Sequence, residues 1–400
     1  MKHPTQQAAV NVNGDWRVVA GSFIIQVSLV SAVYGTYGVF KPYVSAELAM
    51  PDWQASIGLS LTMLVGGVLS ALVGAKLTPA NVRKLMATGI ALASASFVIL
   101  ANVESSAWFL FVFAIMLGLA FALASGVAIS TVLASWYPFN TGKMLGFAMA
   151  PLGGLIAPAL SGWAVSSLGL RNSYYCIALL FICLLPLLSI VRGNPAAIQQ
   201  SKSNTTEDKG LTTRQILTDW RFLVWMLCVG SIGGYGVGIV VQLPSFTAEL
   251  GLPFSFGLIL LTTLGLFSFL GAPTLGYIAD KKGARFATIM LLAVYASCWV
   301  VLSLKIASMP LLIVLVATMG LMSGGMMPVI AVLISSHFGS RHLPKALGIG
   351  GLVYLPLHFA VPPLLGLSYD LVNSYAPAFA WGAGFLYLFA LIMFLVKDKY

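Results

Sequence analysis

Charged residues are scarce in this chain. Only 8% of its 400 residues are Asp, Glu, Lys or Arg, and 59% are hydrophobic, whereas soluble domains carry about 25% charged residues. The mean hydropathy is +0.95, so the apolar surface must face lipid, which predicts an integral membrane protein. The first apolar run, roughly 18–40, is too long for the core of a cleavable signal peptide.

The sequence patterns of common enzymes are missing as well. The chain has no Walker loop, no G-x-S-x-G turn and no cluster of His, Asp and Glu at metal-ligand spacing. We therefore expect no enzymatic activity, no metal and no cofactor. The cysteines lie in apolar runs without a C-x-x-C spacing, which favours buried thiols over disulfides. They are Cys176, Cys183, Cys228 and Cys298.

Basic residues exceed acidic ones, with a formal net charge of +10, but they are spread over short loops. A gathered basic patch would indicate nucleic acid as a partner, and none is present in the sequence. We expect a small-molecule solute and the lipid bilayer as partners, no nucleic acid, and a monomer.

Runs of about 20 apolar residues predict twelve membrane spans. They lie near 18–40, 55–77, 86–102, 107–135, 145–168, 172–191, 222–246, 255–278, 286–304, 309–335, 346–368 and 374–396. The polar stretch between the two sets of six predicts a linker. The expected domains are thus a first bundle over 1–191, a cytoplasmic linker over 192–219 and a second bundle over 220–400.

The loop charges predict the orientation of these spans. If both termini are cytoplasmic, the inner loops and tails hold eighteen Lys and Arg residues and the outer loops hold three. This asymmetry follows the positive-inside rule. We expect a multi-pass protein with both termini cytoplasmic, in the plasma (inner) membrane.

The two sets of spans are an internal repeat. The hydrophilic segment 276–285 matches 74–83 at an offset of 202 residues, and Lys143 and Gly146 match Lys345 and Gly348 at the same offset. Six is an even number of spans, so the two copies share one topology and are related by an axis along the membrane normal.

The repeated segment resembles the loop motif of the major facilitator superfamily, G-x-x-x-D-(R/K)-x-G-x-(R/K). The second copy is intact, whereas the first has Thr78 in place of the aspartate and Asn81 in place of the second glycine. The motif residues retained are Gly276, Asp280, Gly283, Arg285, Gly74 and Arg83. The resemblance implies an all-α membrane protein, with twelve transmembrane helices in two pseudo-symmetric six-helix bundles, that works as a secondary transporter by alternating access.

Shorter stretches resemble the branch that holds monocarboxylate transporters and oxalate:formate antiporters. They include Tyr37-Gly-Val-Phe40 at the end of the first span and Ser135-Trp-Tyr after the fourth. Carboxylate carriers of that branch commonly have an Arg-Pro pair in the eighth span, where this chain has Ala272-Pro273. The resemblance to this branch favours an organic anion, such as a monocarboxylate, as the solute. The missing arginine counts against it.

Polar side chains inside apolar spans are the candidates for solute binding, because burying them is costly. His358 can pair with an anion or carry a proton, or it can be a neutral histidine that bonds two helices. Lys41 follows Tyr34 and Tyr37 on one helical stripe, or it reaches the outer headgroups. The candidate set is His358, Tyr354, Tyr34, Tyr37, Lys41, Gln26, Tyr235 and Gln242.

The loop motif is expected to gate the cytoplasmic side. Asp280 is predicted to cap a helix N-terminus and pair with a nearby cation. Because no Asp or Glu falls within a predicted span, a proton or a counter-anion remains open as the coupling partner. The alternatives to an organic-anion carrier are an efflux carrier for amphipathic drugs or metabolites and a non-transporting membrane sensor.

Overall fold

The computed structural model describes residues 15–74, 76–137, 141–149, 152–195, 212–339 and 342–396. Helices account for nearly all of this part of the chain, and it contains no strand. Most of the predicted linker, including 196–211, and both chain ends lie outside the described residues.

Six spans make up the first half. They are α1 (Trp16–Val30, continued by Ser31–Gly35 and Tyr37–Glu47), α2 (Asp52–Gly74), α3 (Val82–Leu100), α4 (Ser106–Trp136), and two spans, α5 and α6, within the helix Gly153–Leu184. Thr141–Ala148 precedes this last helix, and a 3₁₀ turn, Leu185–Ser189, follows it.

Six further spans make up the second half, after a short helix, Thr213–Leu217. They are α7 (Trp220–Glu249), α8 (Phe254–Lys282), α9 (Ala284–Ser303), α10 (Met309–Phe338), α11 (Leu343–Val372) and α12 (Ala376–Leu395).

Gly169 divides the longest apolar segment into α5 and α6. In the described residues eleven helices are long and apolar enough to cross a membrane, and one of them, Gly153–Ser189, has 37 residues. At about 1.5 Å per residue this segment would span nearly twice the hydrocarbon thickness of roughly 30 Å. Gly169 has φ 78° and ψ 167°, a conformation that a residue with Cβ rarely adopts. The break makes two crossings, so the predicted twelve spans are confirmed.

The same cap opens both halves. Asp15 accepts a hydrogen bond from the amide of Arg17, and Asp219 accepts from the amides of Arg221 and Phe222. A carboxylate at the N-cap satisfies amides that the first helical turn leaves free. Both caps lie in the same sequence, Asp-Trp-Arg, at 15–17 and 219–221, so this repeat has a structural cause.

Within the described residues, three pairs of helices form most of the contact between the two halves. The first half contributes α1, α2 and α5, which pack against α7, α11 and α8 of the second half, respectively. We call the end of the bundle where α1 leads into α2 the Lys41 end, and the opposite end, where α8 leads into α9, the Asp280 end.

The cysteines differ in their surroundings. Cys228 and Cys298 are buried, as expected, but Cys176 and Cys183 are exposed on the surface of α6, and all four are free thiols. The expectation of burial was wrong for these two because they lie on the outer face of their helix. An apolar side chain on that face suits contact with lipid.

Candidate functional site

A cavity of about 350 Å³ lies between the two halves. Helices from both halves line it, and most of the lining residues are Gly, Val, Leu and Met. Its polar side chains among the described residues are Tyr34, Ser268, Ser323 and His358, and none of these lining residues is Asp, Glu, Lys or Arg. The cavity therefore suits a compact, largely apolar ligand with few hydrogen-bonding groups.

Tyr34 enters the cavity from an irregular turn of α1. The segment Ser31–Gly35 forms a π-helical turn, an insertion that is frequent at functional sites. The ring of Tyr34 packs edge-on against Phe121, with 5.2 Å between centroids. This contact supports the ring from the side of α4.

His358 faces the cavity from α11 and is only 8% exposed. Its ring lies 4.9 Å from that of Tyr354, one turn earlier, and Nε2 is 3.2 Å from the carbonyl oxygen of Gly230 in α7. A carbonyl only accepts hydrogen bonds, so Nε2 carries the hydrogen. In the neutral ring, Nδ1 is then an acceptor, and a second proton would turn it into a donor.

The cavity thus contains two of the eight residues predicted to bind solute, Tyr34 and His358. Tyr354 is not among the lining residues, and its ring packs against that of His358 at an angle of 32°. Gln26 accepts a hydrogen bond from Ser125 within the first half, 2.8 Å long. Tyr235 packs against Trp299 and lines a separate groove beside α11 and α12.

Tyr37 and Lys41 do not share the cavity wall with Tyr34, contrary to the predicted stripe. The π-helical turn places an additional residue in one turn of α1, and this rotates the residues that follow it. Tyr37 is buried and donates a hydrogen bond to the carbonyl oxygen of Ala55 in α2. Lys41, seven residues beyond Tyr34, lies about 10 Å further along the helix.

Lys41 belongs instead to a polar cluster that joins the halves. Its ammonium is 2.7 Å from Asp52 and donates to Oε1 of Gln242 in α7. The side-chain amide of Gln242 donates to Ser56 at 2.8 Å and to the carbonyl of Pro362 at 3.2 Å. Lys41 is only 2% exposed, so the alternative that it extends to the headgroups is wrong. Its charge is satisfied inside the protein by a carboxylate and an amide.

The intact loop motif connects helices within the second half. Gly283 has φ 90° and lies between α8 and α9, directly before the first residue of α9. Arg285 donates to the carbonyl oxygens of Met393, at 3.1 Å, and Phe394. Arg285 thereby satisfies two carbonyls at the end of α12. Gly276 lies one turn before Asp280, in α8.

Asp280 is exposed in the last turn of α8, so it does not cap a helix N-terminus as predicted. The structure shows no ion pair or hydrogen bond for its carboxylate within the described ranges. Helix α8 continues through Lys282. The Asp280 carboxylate therefore belongs to the C-terminal turn of α8 and not to the N-terminus of α9.

The first copy of the motif has a threonine in place of the aspartate and an asparagine in place of the second glycine. Thr78 donates its backbone N–H to Asn81 Oδ1 at 2.8 Å, and the Asn81 side chain donates to the carbonyl of Lys76 at 2.9 Å. These bonds close the turn between α2, which ends at Gly74, and α3, in which Arg83 is exposed. The loop is thus held by local hydrogen bonds of Asn81.

The most important residue missed from the sequence is Asp370. It lies two positions beyond the predicted span 346–368, but the helix extends to Val372 and carries it to the contact between the halves. The available signal was an acidic residue directly beyond a predicted span, in Gly366-Leu-Ser-Tyr-Asp370. Ser268 was also missed, since serine is common in apolar helices, whereas Ser323 is a weaker candidate from the sequence because its hydroxyl can bond either a ligand or a neighbouring helix.

Comparisons with known proteins agree with this architecture. The chain is 21% identical to monocarboxylate transporter 12 of Homo sapiens, over 94% of this chain and 79% of that protein. It is 24% identical to the uncharacterized MFS-type transporter YcxA of Bacillus subtilis, over 86% of each. The crystal structure of the nucleoside transporter NupG superposes with a TM-score of 0.71 at 15% identity, covering 96% of this chain and 99% of that one.

The family model of the Major Facilitator Superfamily matches residues 23–304 and 253–400. Together these matches cover nearly the whole chain, including both copies of the loop motif and the cavity between the halves. The chain is a multi-pass membrane transporter and belongs to the major facilitator superfamily.

Proposed function

We propose that this transporter carries a small organic acid with an apolar body, and that it does so by alternating access. The observation that carries the proposal is the apolar cavity between the halves, with His358 and Tyr34 as its main polar groups. An apolar body fits the Val, Leu and Met lining, while a single carboxylate can bond to the imidazole and the phenol.

Charge balance limits how such an acid can be bound. A carboxylate in an apolar site needs a proton or a cation as partner, and His358 is the one titratable group besides Tyr34 among the described lining residues. The acid therefore enters with a proton, carried by His358 or by its own carboxyl, or it exchanges with a second anion. The first route keeps the loaded cavity close to neutral, whereas exchange balances only the net charge that crosses the membrane in each cycle.

A second candidate is an uncharged or amphipathic solute, as in an efflux carrier. It is favoured by the absence of Lys and Arg from the described lining and by Ala272 where carboxylate carriers of the similar branch have arginine. The named relatives include both a monocarboxylate transporter and a nucleoside transporter.

We further propose that both termini are cytoplasmic, so that the Lys41 end faces outward in the plasma membrane. The excess of Lys and Arg in the loops of the Asp280 end supports this orientation. The halves approach closely at the Lys41 end, where a Cβ added to Gly38 would be 2.1 Å from the carbonyl oxygen of Val240. The cavity is then closed to the outside in this conformation.

Uptake into proteoliposomes tests the solute. A panel of labelled monocarboxylates and neutral analogues of equal size is offered, with and without a pH gradient. The proposal predicts carboxylate uptake and a rise in KM of roughly tenfold or more in His358→Gln, because a hydrogen bond to a charged group is lost. His342→Gln is the matched control, since His342 precedes α11 without a capping hydrogen bond from its side chain.

Each outcome has a defined meaning. Uptake of neutral analogues alone would replace the acid by the second candidate. Carboxylate uptake with an unchanged KM in His358→Gln would show that the cavity is not the binding site. A His342→Gln effect equal to that of His358→Gln would also contradict the assignment.

The Asp280 end is proposed to act as the inner gate. Asp280 is unpaired among the described residues but is followed by Lys281 and Lys282, and Arg285 is already bonded to α12. When this end closes, the Asp280 carboxylate can meet a cation of the first half. Asp280→Asn is expected to lower maximal flux more than apparent affinity, and an equal loss of both in a flux assay would contradict this role.

A further inference from the structure

A carboxylate of the second half completes a helix of the first half. Asp370, in α11, accepts hydrogen bonds from the backbone amides of Asp52, at 2.9 Å, and Trp53, at 2.8 Å. These are the first two residues of α2, and 318 and 317 positions separate them from Asp370. We call this pair of bonds the Asp370 cap.

The first half has no cap of its own at this position. A helix leaves its first four amides without intrahelical partners, and the residue before α2 is Pro51, whose side chain has no acceptor. The amides of Gln54 and Ala55 bond to the carbonyl of Pro51, at 3.1 and 3.0 Å. The amides of Asp52 and Trp53 thus depend on Asp370, whereas α1 and α7 are capped by an aspartate that directly precedes them.

Packing holds the cap in place. Gly366 lies one turn before Asp370, and a Cβ there would be 2.8 Å from Cα of Trp53 and 2.9 Å from the carbonyl oxygen of Asp52. The backbones of α11 and α2 are therefore in direct contact. The second carboxylate at this site, that of Asp52, pairs with Lys41 at 2.7 Å, which offsets repulsion between the two aspartates.

We propose that the Asp370 cap is the latch of the Lys41 end. It exists only while the halves are together at this end, because its acceptor and its donors belong to different halves. Opening of the Lys41 end removes the acceptor and leaves two amides of α2 without a protein partner. The strength of the cap therefore biases the equilibrium toward the closed Lys41 end, whatever solute is carried.

Distance measurements between spin labels test the latch without transport. Ser105 and Ala307 are exposed in loops at the Lys41 end, one in each half, and both are changed to cysteine after the four native cysteines are replaced. Asp370→Asn keeps one acceptor oxygen but loses the second and the negative charge, so in lipid nanodiscs it is expected to raise the ratio of long to short distances by roughly two- to tenfold, the range of one hydrogen bond. Glu47→Gln, an exposed carboxylate at the same end, is the control and should leave the ratio unchanged.

A second substitution separates capping from simple contact. Pro51→Ser places a capping hydroxyl on the first half itself, so the Asp370→Asn shift should be smaller in the Pro51→Ser background. The proposal is overturned if Asp370→Asn leaves the distances of a monodisperse protein unchanged, or if its shift is equally large in both backgrounds. Because no solute is present, a failed solute assignment cannot produce either result.

Discussion

Gly38 offers a direct test of how tightly the Lys41 end closes. It lies in α1 against the backbone of α7, and a Cβ at this position would be 2.1 Å from the carbonyl oxygen of Val240 and 3.2 Å from its carbonyl carbon. A methyl group cannot occupy that space, so the helices must separate by about 1 Å to restore normal contact. We predict that Gly38→Ala shifts the transporter toward the conformation that is open at the Lys41 end.

The size of the shift follows from the two effects of the methyl group. Ala favours a helix over Gly by about 1 kcal/mol, but Gly38 is helical, and the gain cancels if α1 stays helical in both conformations. Overpacking costs about 1–3 kcal/mol and acts only where α1 touches α7. The ratio of molecules that are open at the Lys41 end to those that are closed should therefore rise by roughly 5- to 150-fold, since about 1.4 kcal/mol corresponds to a factor of ten.

Spin labels at Ser105 and Ala307 measure this ratio, and proteoliposome flux measures its consequence. Flux should fall, because each cycle must pass through the conformation that is closed at the Lys41 end. Gly384→Ala in α12 is the matched control, since nothing lies within 4 Å of a Cβ there. A Gly38→Ala protein with the distances and flux of this control would refute the reasoning.

Two further substitutions probe stability and cavity shape. Burial alone would raise the pKa of Asp219, but hydrogen bonds from His337 and two backbone amides hold this pKa below its usual value. The ionised carboxylate therefore stabilises the folded protein fully at pH values above the usual pKa. This stabilisation is lost as the pH falls through the lowered pKa. Asp219→Asn keeps an oxygen that can cap α7 but loses the carboxylate bond to His337, so it should cost about 1 kcal/mol near neutral pH. It should also flatten the acid side of the Tm–pH curve, and an unchanged curve would argue against it. Gly233→Ala would place Cβ 2.3 Å from Nε2 of His358, so KM should rise more for bulky than for small solutes, and an equal rise across a homologous series would contradict this.

The sequence was sufficient for the architecture because the signals of a membrane fold are local. Each long apolar run has to cross the bilayer, and the repeat at 202 residues predicts two halves of equal topology. The spans and the repeat can both be predicted without knowing any tertiary contact. Even the division at Gly169, which a continuous helix Gly153–Leu184 obscures, is evident from the length that a bilayer allows.

The site was predicted only where a residue is unusual in its own segment. His358 and Tyr34 stand out as polar groups in apolar runs, and both line the cavity. The assignment of Lys41 and Tyr37 to the same wall assumed a regular α-helix, and the π-helical turn Ser31–Gly35 broke that assumption. The bonds of Asp370 could not be read from local pattern, because its partners are more than 300 positions away.

The Asp370 cap also has a consequence for the order in which the protein is assembled. The ribosome makes the first half before the second, so α2 is complete long before Asp370 exists. Lys41 gains Gln242 once α7 is in place, but until α11 has been synthesised and placed the amides of Asp52 and Trp53 have no carboxylate to bond. The first half is therefore an unfinished folding unit, and the eleventh of twelve spans completes it.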